Sequence, residues 1–316
     1  MTTLPELPAE GVSGRIIVLA GPGVIDDDAI DGLRALAAAG DLGVANTWGA
    51  KGVFAWDSPH HLGTCGLQAR DFELLGFGAA DLIVATGVSR AESPRERFAL
   101  APVVEIAPTA LRDAAGRVRA TSAPQNDLYP RLAAVAQPGY ADDKVPLHPA
   151  RAAADLGAVL PAGGLVVAEP GVAGLWVART FPTPALAPGE ARRVVVPARY
   201  TPGGAAILAV EGARAGRPTI LVVERTPDAA TRAVIEAAAS EHLELTVAVW
   251  SDDAGSLAHV DEHQARLRDA LATPGVVLID LAVELGDTSL LIDAAGDVVA
   301  WGGLDVHDRG TSDRQR

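Results

Sequence analysis

The sequence predicts an α/β protein made of two doubly wound, Rossmann-like domains, each built on a parallel sheet. Two observations support this fold class: short apolar runs bounded by glycines recur along the chain, and segments of helical period lie between them. Residues 15–20 form the first such run, which is rich in β-branched side chains and is followed by Gly21. A continuous apolar run of this length is typical of a strand buried on both faces. Strand–helix alternation then places helices on both faces of each sheet.

The first predicted domain covers residues 15–140 and follows a polar lead-in over residues 1–14. A helix is predicted to begin at Asp26–Asp28, because acidic side chains cap free N–H groups, and to end at Gly40. Residues 109–147 contain four prolines and are predicted to be irregular. Further strands are predicted over residues 42–46, 82–85 and 103–106, and another helix over residues 69–75.

The second predicted domain covers residues 141–316 and repeats the alternation. Residues 290–301 contain two apolar runs on either side of Gly296, a pattern that predicts a β-hairpin. Helices are predicted over residues 149–160, 204–215, 227–240 and 260–271, and strands over residues 164–168, 219–223, 245–250 and 276–281.

Composition and charge narrow the classes of function. The 316 residues carry a formal net charge of −14 and lack a basic stripe, which disfavours nucleic acids and anionic membranes as partners. The single cysteine, Cys65, excludes an internal disulfide and a cysteine-based zinc site. The sequence has no apolar run of the roughly 18 residues that a membrane span needs, and no secretory signal at its start. We therefore expect a cytoplasmic protein.

Three stretches of the first domain carry a family resemblance: Gly-Ala-Lys-Gly-Val-Phe at residues 49–54, Asp-Ser-Pro-His-His-Leu-Gly-Thr-Cys-Gly at residues 57–66, and Ala-Asp-Leu-Ile-Val-Ala-Thr-Gly at residues 80–87. They resemble the central domain of thiamine-diphosphate enzymes of the acetolactate synthase and 2-oxo-acid decarboxylase family. Residues 149–285 are collinear with that family's diphosphate-binding domain. Family members begin with a pyrimidine-binding domain, whose glutamate protonates the cofactor ring, and the resemblance implies that this sequence starts where that domain ends.

In the second domain the resemblance implies a diphosphate site with altered ligands. Family members carry Gly-Asp-Gly after one strand and an Asn pair after the next, which bind magnesium and diphosphate. Here the first place reads Val223-Glu224-Arg225 and the second reads Trp250-Ser251-Asp252-Asp253. Aligned by the distance between strand ends, Arg225 falls on the family's aspartate, and a guanidinium has no acceptor atom with which to ligate a cation. The corresponding strand-end segment and Gly-rich turn supply Glu169 with Gly171, and Gly203 with Gly204.

Two interpretations of this site stay open. Glu224, Asp252 and Asp253 carry hard oxygen ligands of the type that divalent cations prefer, which favours a rewired metal or anion site. The preferred alternative is a vacated pocket held by ion pairs, since the glycines that let the loop approach the phosphates are also gone. In that case Arg225 replaces the positive charge of the metal and pairs with Asp252 or Glu169.

A second candidate site lies in the first domain, where some family members bind FAD or ADP. The resemblance assigns to it Gly21, Gly23, Lys51, Gly66, Gly87 and Arg90. A glycine-containing loop between a strand and a helix offers N–H groups to a phosphate, whereas Asp26–Asp28 would repel an anion at that helix start. The alternative is that these segments serve folding alone.

Histidine and cysteine patterns are weaker signals. His259 and His263 stand at i and i+4, a spacing that can bind zinc on a helix, but no third ligand is identifiable and solvated helix positions are preferred. His60 and His61 are interpreted as part of a surface turn. Cys65 is placed in a turn without a nearby base, which disfavours a nucleophile.

The sequence leads to three hypotheses of function. The first is a thiamine-diphosphate-enzyme-like protein that is not catalytic by itself, binds no cofactor alone and acts as a structural or regulatory subunit. The second is one subunit of a split lyase or transferase acting on 2-oxo acids, which binds thiamine diphosphate and magnesium with a pyrimidine-binding-domain partner. The third is a nucleotide- or CoA-binding protein with an FAD- or ADP-type ligand. We expect a homo-oligomer or that partner, since the pocket face of the second domain would otherwise be exposed.

Overall fold

The computed structural model describes residues 7–8, 10–252 and 259–302. The chain divides into two compact units. Unit 1 comprises Met1–Ala133, Thr183–Arg192 and Ala294–Ala300, and unit 2 comprises Ala134–Pro182, Arg193–Asp293 and Trp301–Arg316. None of the helices in the described ranges combines the length and the apolarity that crossing a membrane requires.

Unit 1 is built on a five-stranded parallel sheet with the strand order β4-β3-β2-β5-β6, and a separate parallel pair joins β1 to β7. The strands are β1 Val12–Gly14, β2 Ile16–Ala20, β3 Gly43–Thr47, β4 His61–Cys65, β5 Leu82–Thr86, β6 Val103–Glu105 and β7 Val118–Ala120. The helices are α1 Gly23–Asp26, α2 Ile30–Gly40, α3 Asp71–Leu74, α4 Arg95–Phe98, α5 Leu111–Ala114 and α6 Leu128–Tyr140, which runs into unit 2. Short 3-10 helices cover Trp48–Ala50, Phe77–Ala79 and Pro108–Ala110.

The central strand β2 explains why an apolar run marks this sheet. All five of its residues are buried. Ile16 and Val18 pack into one apolar cluster, whereas Ile17 and Leu19 pack into another. Because successive side chains of a strand point to opposite faces, this strand needs apolar residues at every position.

Unit 2 contains a second five-stranded parallel sheet, with the strand order β12-β11-β10-β8-β9. Its strands are β8 Leu165–Ala168, β9 Val194–Val195, β10 Thr219–Glu224, β11 Leu245–Ser251 and β12 Val276–Ala282. Its helices are α7 Pro149–Val159, α8 Val172–Thr180, α9 Gly204–Arg214, α10 Ala229–Ser240, α11 Glu262–Ala272 and α12 Thr288–Ala295, and a 3-10 helix covers Leu285–Asp287. The predicted fold class, α/β with parallel sheets, is confirmed.

The acidic run Asp26–Asp28 does not begin the long helix, so this part of the prediction is wrong. Helix α1 ends at Asp26, and α2 begins only at Ile30. Asp28 adopts a left-handed conformation with φ +50°, which Asp tolerates better than most residues. Its carboxylate accepts a hydrogen bond from the N–H of Gly189 at 2.8 Å, so the run forms a break between two helices.

Residues 109–147 are more regular than predicted. They include the strand β7 and the helices α5 and α6. Pro130 lies in the first turn of α6, where a backbone N–H has no acceptor within the helix, so a proline there costs no helical bond. The prediction of irregular structure rested on the number of prolines, and it therefore missed α6, a helix of 13 residues.

The predicted hairpin around Gly296 is also wrong. The first apolar run belongs to helix α12, and the second contributes only an isolated antiparallel bridge between Val298 and Gln68. Periodicity cannot separate a strand from a buried helix in so short a run. Gly296 itself is left-handed, with φ +83°.

Candidate functional site

The carboxyl edge of the unit 2 sheet collects most of the predicted diphosphate-site residues. Strands β8, β10 and β11 are parallel neighbours, so the residues that follow them meet at one edge, where α/β folds bind their ligands. Glu169 follows β8, Glu224 and Arg225 stand at the end of β10, and Ser251 and Asp252 at the end of β11.

Glu224 turns its carboxylate onto the beginning of helix α8. Its Oε2 atom accepts hydrogen bonds from the N–H of Val172 at 2.6 Å and from the N–H of Ala173 at 3.3 Å. These N–H groups have no partner within the helix, and they carry the positive end of the helix dipole. The contact is therefore a charge-assisted one between an anion and a helix N-terminus.

Arg225 follows Glu224 in a left-handed conformation, with φ +55°. Its N–H donates to the carbonyl of Trp250 at 2.8 Å, which extends the sheet by one bond. Its guanidinium Nη2 lies 3.8 Å from Oδ2 of Asp252. The two side chains are 48% and 45% exposed, so solvent screens this ion pair.

Asp252 also accepts a backbone hydrogen bond at the same edge. Its Oδ1 accepts a hydrogen bond from the N–H of Leu285 at 2.8 Å, at the start of a 3-10 helix. The carbonyl of Ser251 accepts from the N–H of Val283 at 2.8 Å. Asp252 thus anchors the chain after β12 with one oxygen and faces Arg225 with the other.

The glycines of this edge serve turns and close packing. Gly203 has φ +72° and precedes α9, and a side chain on it would lie 3.3 Å from the backbone of Ala230. The N–H of Gly204 donates to the carbonyl of Thr201 at 2.9 Å. Gly171 directly precedes α8 and provides no side-chain cap for it.

These residues do not fit a magnesium diphosphate group. The helix N–H groups that would face a phosphate are bonded to Glu224, and the guanidinium of Arg225 stands where the resemblance places a cation ligand. Among the residues that the structure describes, no group of three or more His, Cys, Asp or Glu side chains is placed to hold a metal ion. Asp253, the remaining predicted ligand, lies outside the described residues.

The carboxyl edge of the unit 1 sheet is closed by backbone. The N–H of Gly21 donates to the carbonyl of Thr86, and the N–H of Gly23 to the carbonyl of Gly87, both at 2.9 Å. A Cβ atom on Gly21 would lie 2.3 Å from the Gly87 oxygen, and one on Gly23 would lie 2.8 Å from the Gly87 Cα. The structure therefore brings these three predicted residues together, with the glycines packed against each other.

The other predicted nucleotide-site residues are spread along this edge. Lys51 follows the 3-10 helix after β3 and is buried. Gly66 follows β4 with φ +89°, and its carbonyl accepts from Nη1 of Arg97 at 2.8 Å. Arg90 is exposed.

Two residues of the unit 1 edge were missed by the sequence reasoning. Arg192 donates to the carbonyls of Pro22 and Gly49, each at 2.9 Å, and to Oδ1 of Asp26 at 2.6 Å. Glu92 is buried, and burial raises the pKa of its carboxyl to about 7. Neither residue belongs to a local motif, since the groups that surround them come from distant parts of the chain.

Three further predictions need correction. His61 begins strand β4 and lies 2.9 Å from Oδ1 of Asn46, and burial lowers its pKa to about 4, so it is not part of a surface turn. Cys65 ends β4 as a buried residue and is not in a turn. His263 is buried, with Nδ1 2.8 Å from Oδ2 of Asp155, whereas His259 precedes α11. The two histidines therefore do not share a solvated helix face.

Comparison with known proteins agrees with the resemblance. Residues 12–120 match the central domain of thiamine pyrophosphate enzymes. The structure is similar to a protein from Mycobacterium smegmatis described as a candidate thiamin diphosphate-dependent enzyme, with a TM-score of 0.62 and 17% sequence identity. The match covers 85% of this chain and 61% of that protein, so this chain spans less than two thirds of its length. No curated protein matches the sequence.

Proposed function

We propose that the chain is a thiamine-diphosphate-enzyme-like protein that is not catalytic by itself and acts as a structural or regulatory subunit. The observation that carries this proposal is the ion pair between Arg225 and Asp252 at the ends of β10 and β11. A guanidinium cannot ligate a cation, and its own positive charge repels one. Arg225 thus places a positive charge beside Asp252 at this edge without magnesium.

The proposal includes association with another chain, either a second copy or a protein that contains a pyrimidine-binding domain. In the family that the resemblance identifies, the pocket face of the diphosphate-binding domain is covered by such a domain. A subunit of this kind keeps the pocket face as a docking surface. Because its ligand residues are paired with each other, it does not catalyse the reaction of the family. Docking, and with it the stability or activity of a partner, is the role that remains for such a subunit.

A second candidate is one half of a split enzyme acting on 2-oxo acids. This candidate is motivated by the partial match, since the chain aligns with 61% of the longer protein from Mycobacterium smegmatis. In this case Glu224 would have to leave helix α8 when a partner and the cofactor bind. A nucleotide ligand in unit 1, the third hypothesis, would have to bind without the N–H groups of Gly21 and Gly23, which are bonded to protein carbonyls.

Isothermal titration with thiamine diphosphate and magnesium tests the proposal. The chain alone is expected to give no heat of binding, and it is expected not to decarboxylate 2-oxo acids. The same titration with any co-purified partner separates the candidates, since binding only in the complex supports the split enzyme. Micromolar binding by the chain alone would contradict both.

A further inference from the structure

We infer that the carboxylate of Glu224 excludes a diphosphate from unit 2 by occupying the beginning of helix α8 itself. The inference rests on the proposed function in taking this edge as the counterpart of the family's diphosphate site. It adds that Glu224 is the residue responsible, and that its bonds to the first N–H groups of α8 are the physical cause. Part of the disagreement between this edge and the group that the family binds then comes from the side chain of Glu224.

The first support is that α8 lacks any cap of its own. Gly171 precedes the helix and has no side chain to offer, and the first turn contains no acidic residue. The N–H groups of Val172 and Ala173 therefore need an acceptor from outside the helix. Glu224 provides it from 52 positions further along the chain, with a single carboxylate oxygen that accepts both.

The second support is that Glu224 is held in place by the sheet. In the parallel sheet, Glu224 of β10 is the register partner of Trp250 of β11. Val222, two residues earlier in β10, is the register partner of Ala168 of β8. The strand therefore ends directly beside the loop that leads into α8. An aspartate at this position would be one methylene shorter, so its carboxylate would stop short of the contact that Glu224 makes.

The third support is the charge of the neighbouring residue. Arg225 places a guanidinium beside Asp252 at the same edge. Glu224 and Arg225 thus supply, in consecutive positions, the negative charge that a phosphate would bring to α8 and the positive charge that a cation would bring to the strand ends. A diphosphate arriving at α8 would meet a carboxylate already bonded there, and like charges repel.

The experiment uses the full chain and inorganic pyrophosphate without magnesium. Glu224→Ala removes the carboxylate, and Glu241→Ala is the matched control, because Glu241 is an exposed glutamate of unit 2 that pairs with Arg214 at the end of α10. Calorimetry is expected to show at least about tenfold tighter pyrophosphate binding by Glu224→Ala than by the wild type, the factor that corresponds to a charged hydrogen bond. The control is expected to match the wild type.

A second measurement reports the contact directly. In Glu224→Gln, which keeps the shape of the side chain and loses its charge, hydrogen exchange at the amides of Val172 and Ala173 is expected to accelerate about tenfold. If Glu224→Ala does not fold, Glu224→Asp replaces it in the titration.

Two results would overturn the inference. One is unchanged amide exchange in Glu224→Gln, and the other is equal pyrophosphate affinity of wild type and variant, including no binding by either. Neither readout depends on a partner or on catalysis. If the wild-type chain without a partner bound magnesium and thiamine diphosphate, the proposed function would be contradicted. The pyrophosphate titration and the amide exchange test the role of Glu224 separately.

Discussion

The carboxyl edges of the two sheets are occupied by this chain's own groups, but by different kinds of group. In unit 1, packing of backbone closes the edge, because glycine loops pack against Gly87, and the side chain of Arg192 adds hydrogen bonds to two carbonyls. In unit 2, two side chains do so, Glu224 on a helix and Arg225 beside Asp252. An edge closed by backbone cannot be opened without disturbing the fold, whereas an edge closed by side chains can be opened by one substitution. Changes at the unit 1 edge should therefore cost stability, and changes at the unit 2 edge should alter binding.

The largest effect is expected for Gly21→Ala. Its Cβ atom would lie 2.3 Å from both the Gly87 oxygen and the Val88 Cα, and backbone on both sides leaves little room to adjust. We expect a loss of about 3 kcal/mol in the free energy of unfolding, measured by chemical denaturation. Gly78→Ala is the control, since nothing lies within 4 Å of its Cβ position. Equal stabilities of the two variants would mean that the unit 1 edge is not closed by packing.

The second prediction concerns the pH dependence that Glu92 creates. Burial raises its pKa from 4.5 to about 7, so the folded state holds a proton that the unfolded state releases. Its contribution is favourable below pH 4.5 and is lost as the pH rises through about 7, by roughly 3 kcal/mol in total. Glu92→Gln should therefore gain stability relative to the wild type across this range, as measured by denaturation at a series of pH values.

His61 must be separated from Glu92 in this experiment. Its pKa is lowered from 6.5 to about 4, so its contribution is lost as the pH falls from 6.5 through about 4, the opposite direction. In the wild type the two contributions offset each other over much of this range. The difference between Glu92→Gln and wild type isolates Glu92, and a difference that does not change with pH would contradict the buried, protonated carboxyl.

A smaller loss is expected for Arg192→Ala. The substitution removes the hydrogen bonds to Pro22, Gly49 and Asp26, and a charged donor of this kind contributes about 1–2 kcal/mol net. Thermal unfolding provides the measurement. Arg214→Ala, which breaks an exposed ion pair with Glu241, is the control and should leave the melting temperature unchanged. An equally small change for Arg192→Ala would show that Arg192 does not stabilise the unit 1 edge.

The smallest effect is expected for Arg225→Ala. Because both partners of its ion pair are about half exposed, we expect a loss below about 1 kcal/mol. A buried ion pair would lose more, because an unpaired charge would remain, but this pair is too exposed for that loss. A drop in melting temperature as large as that of Gly21→Ala would show that the unit 2 edge is as rigid as the unit 1 edge.

Local patterns in the sequence were enough for the strands and for the edge on which the site lies. The run at residues 15–20 predicted β2, and the strand ends at Glu224 and Ser251 predicted which residues meet. The errors arose where one pattern is compatible with two structures. The apolar run that became α12 has no periodicity of its own, and Pro130 is tolerated in the first turn of α6.

By itself the sequence determined the two parallel sheets and the strand ends at residues 224 and 251, because each depends on neighbouring residues. Only the tertiary structure decided which groups occupy the two edges. Glu224 reaches an N–H group 52 positions away, and Arg192 reaches a carboxylate 166 positions away. Such contacts depend on how the fold brings distant segments together. The donors and acceptors near a strand end, which come from those segments, set the direction of a long side chain there.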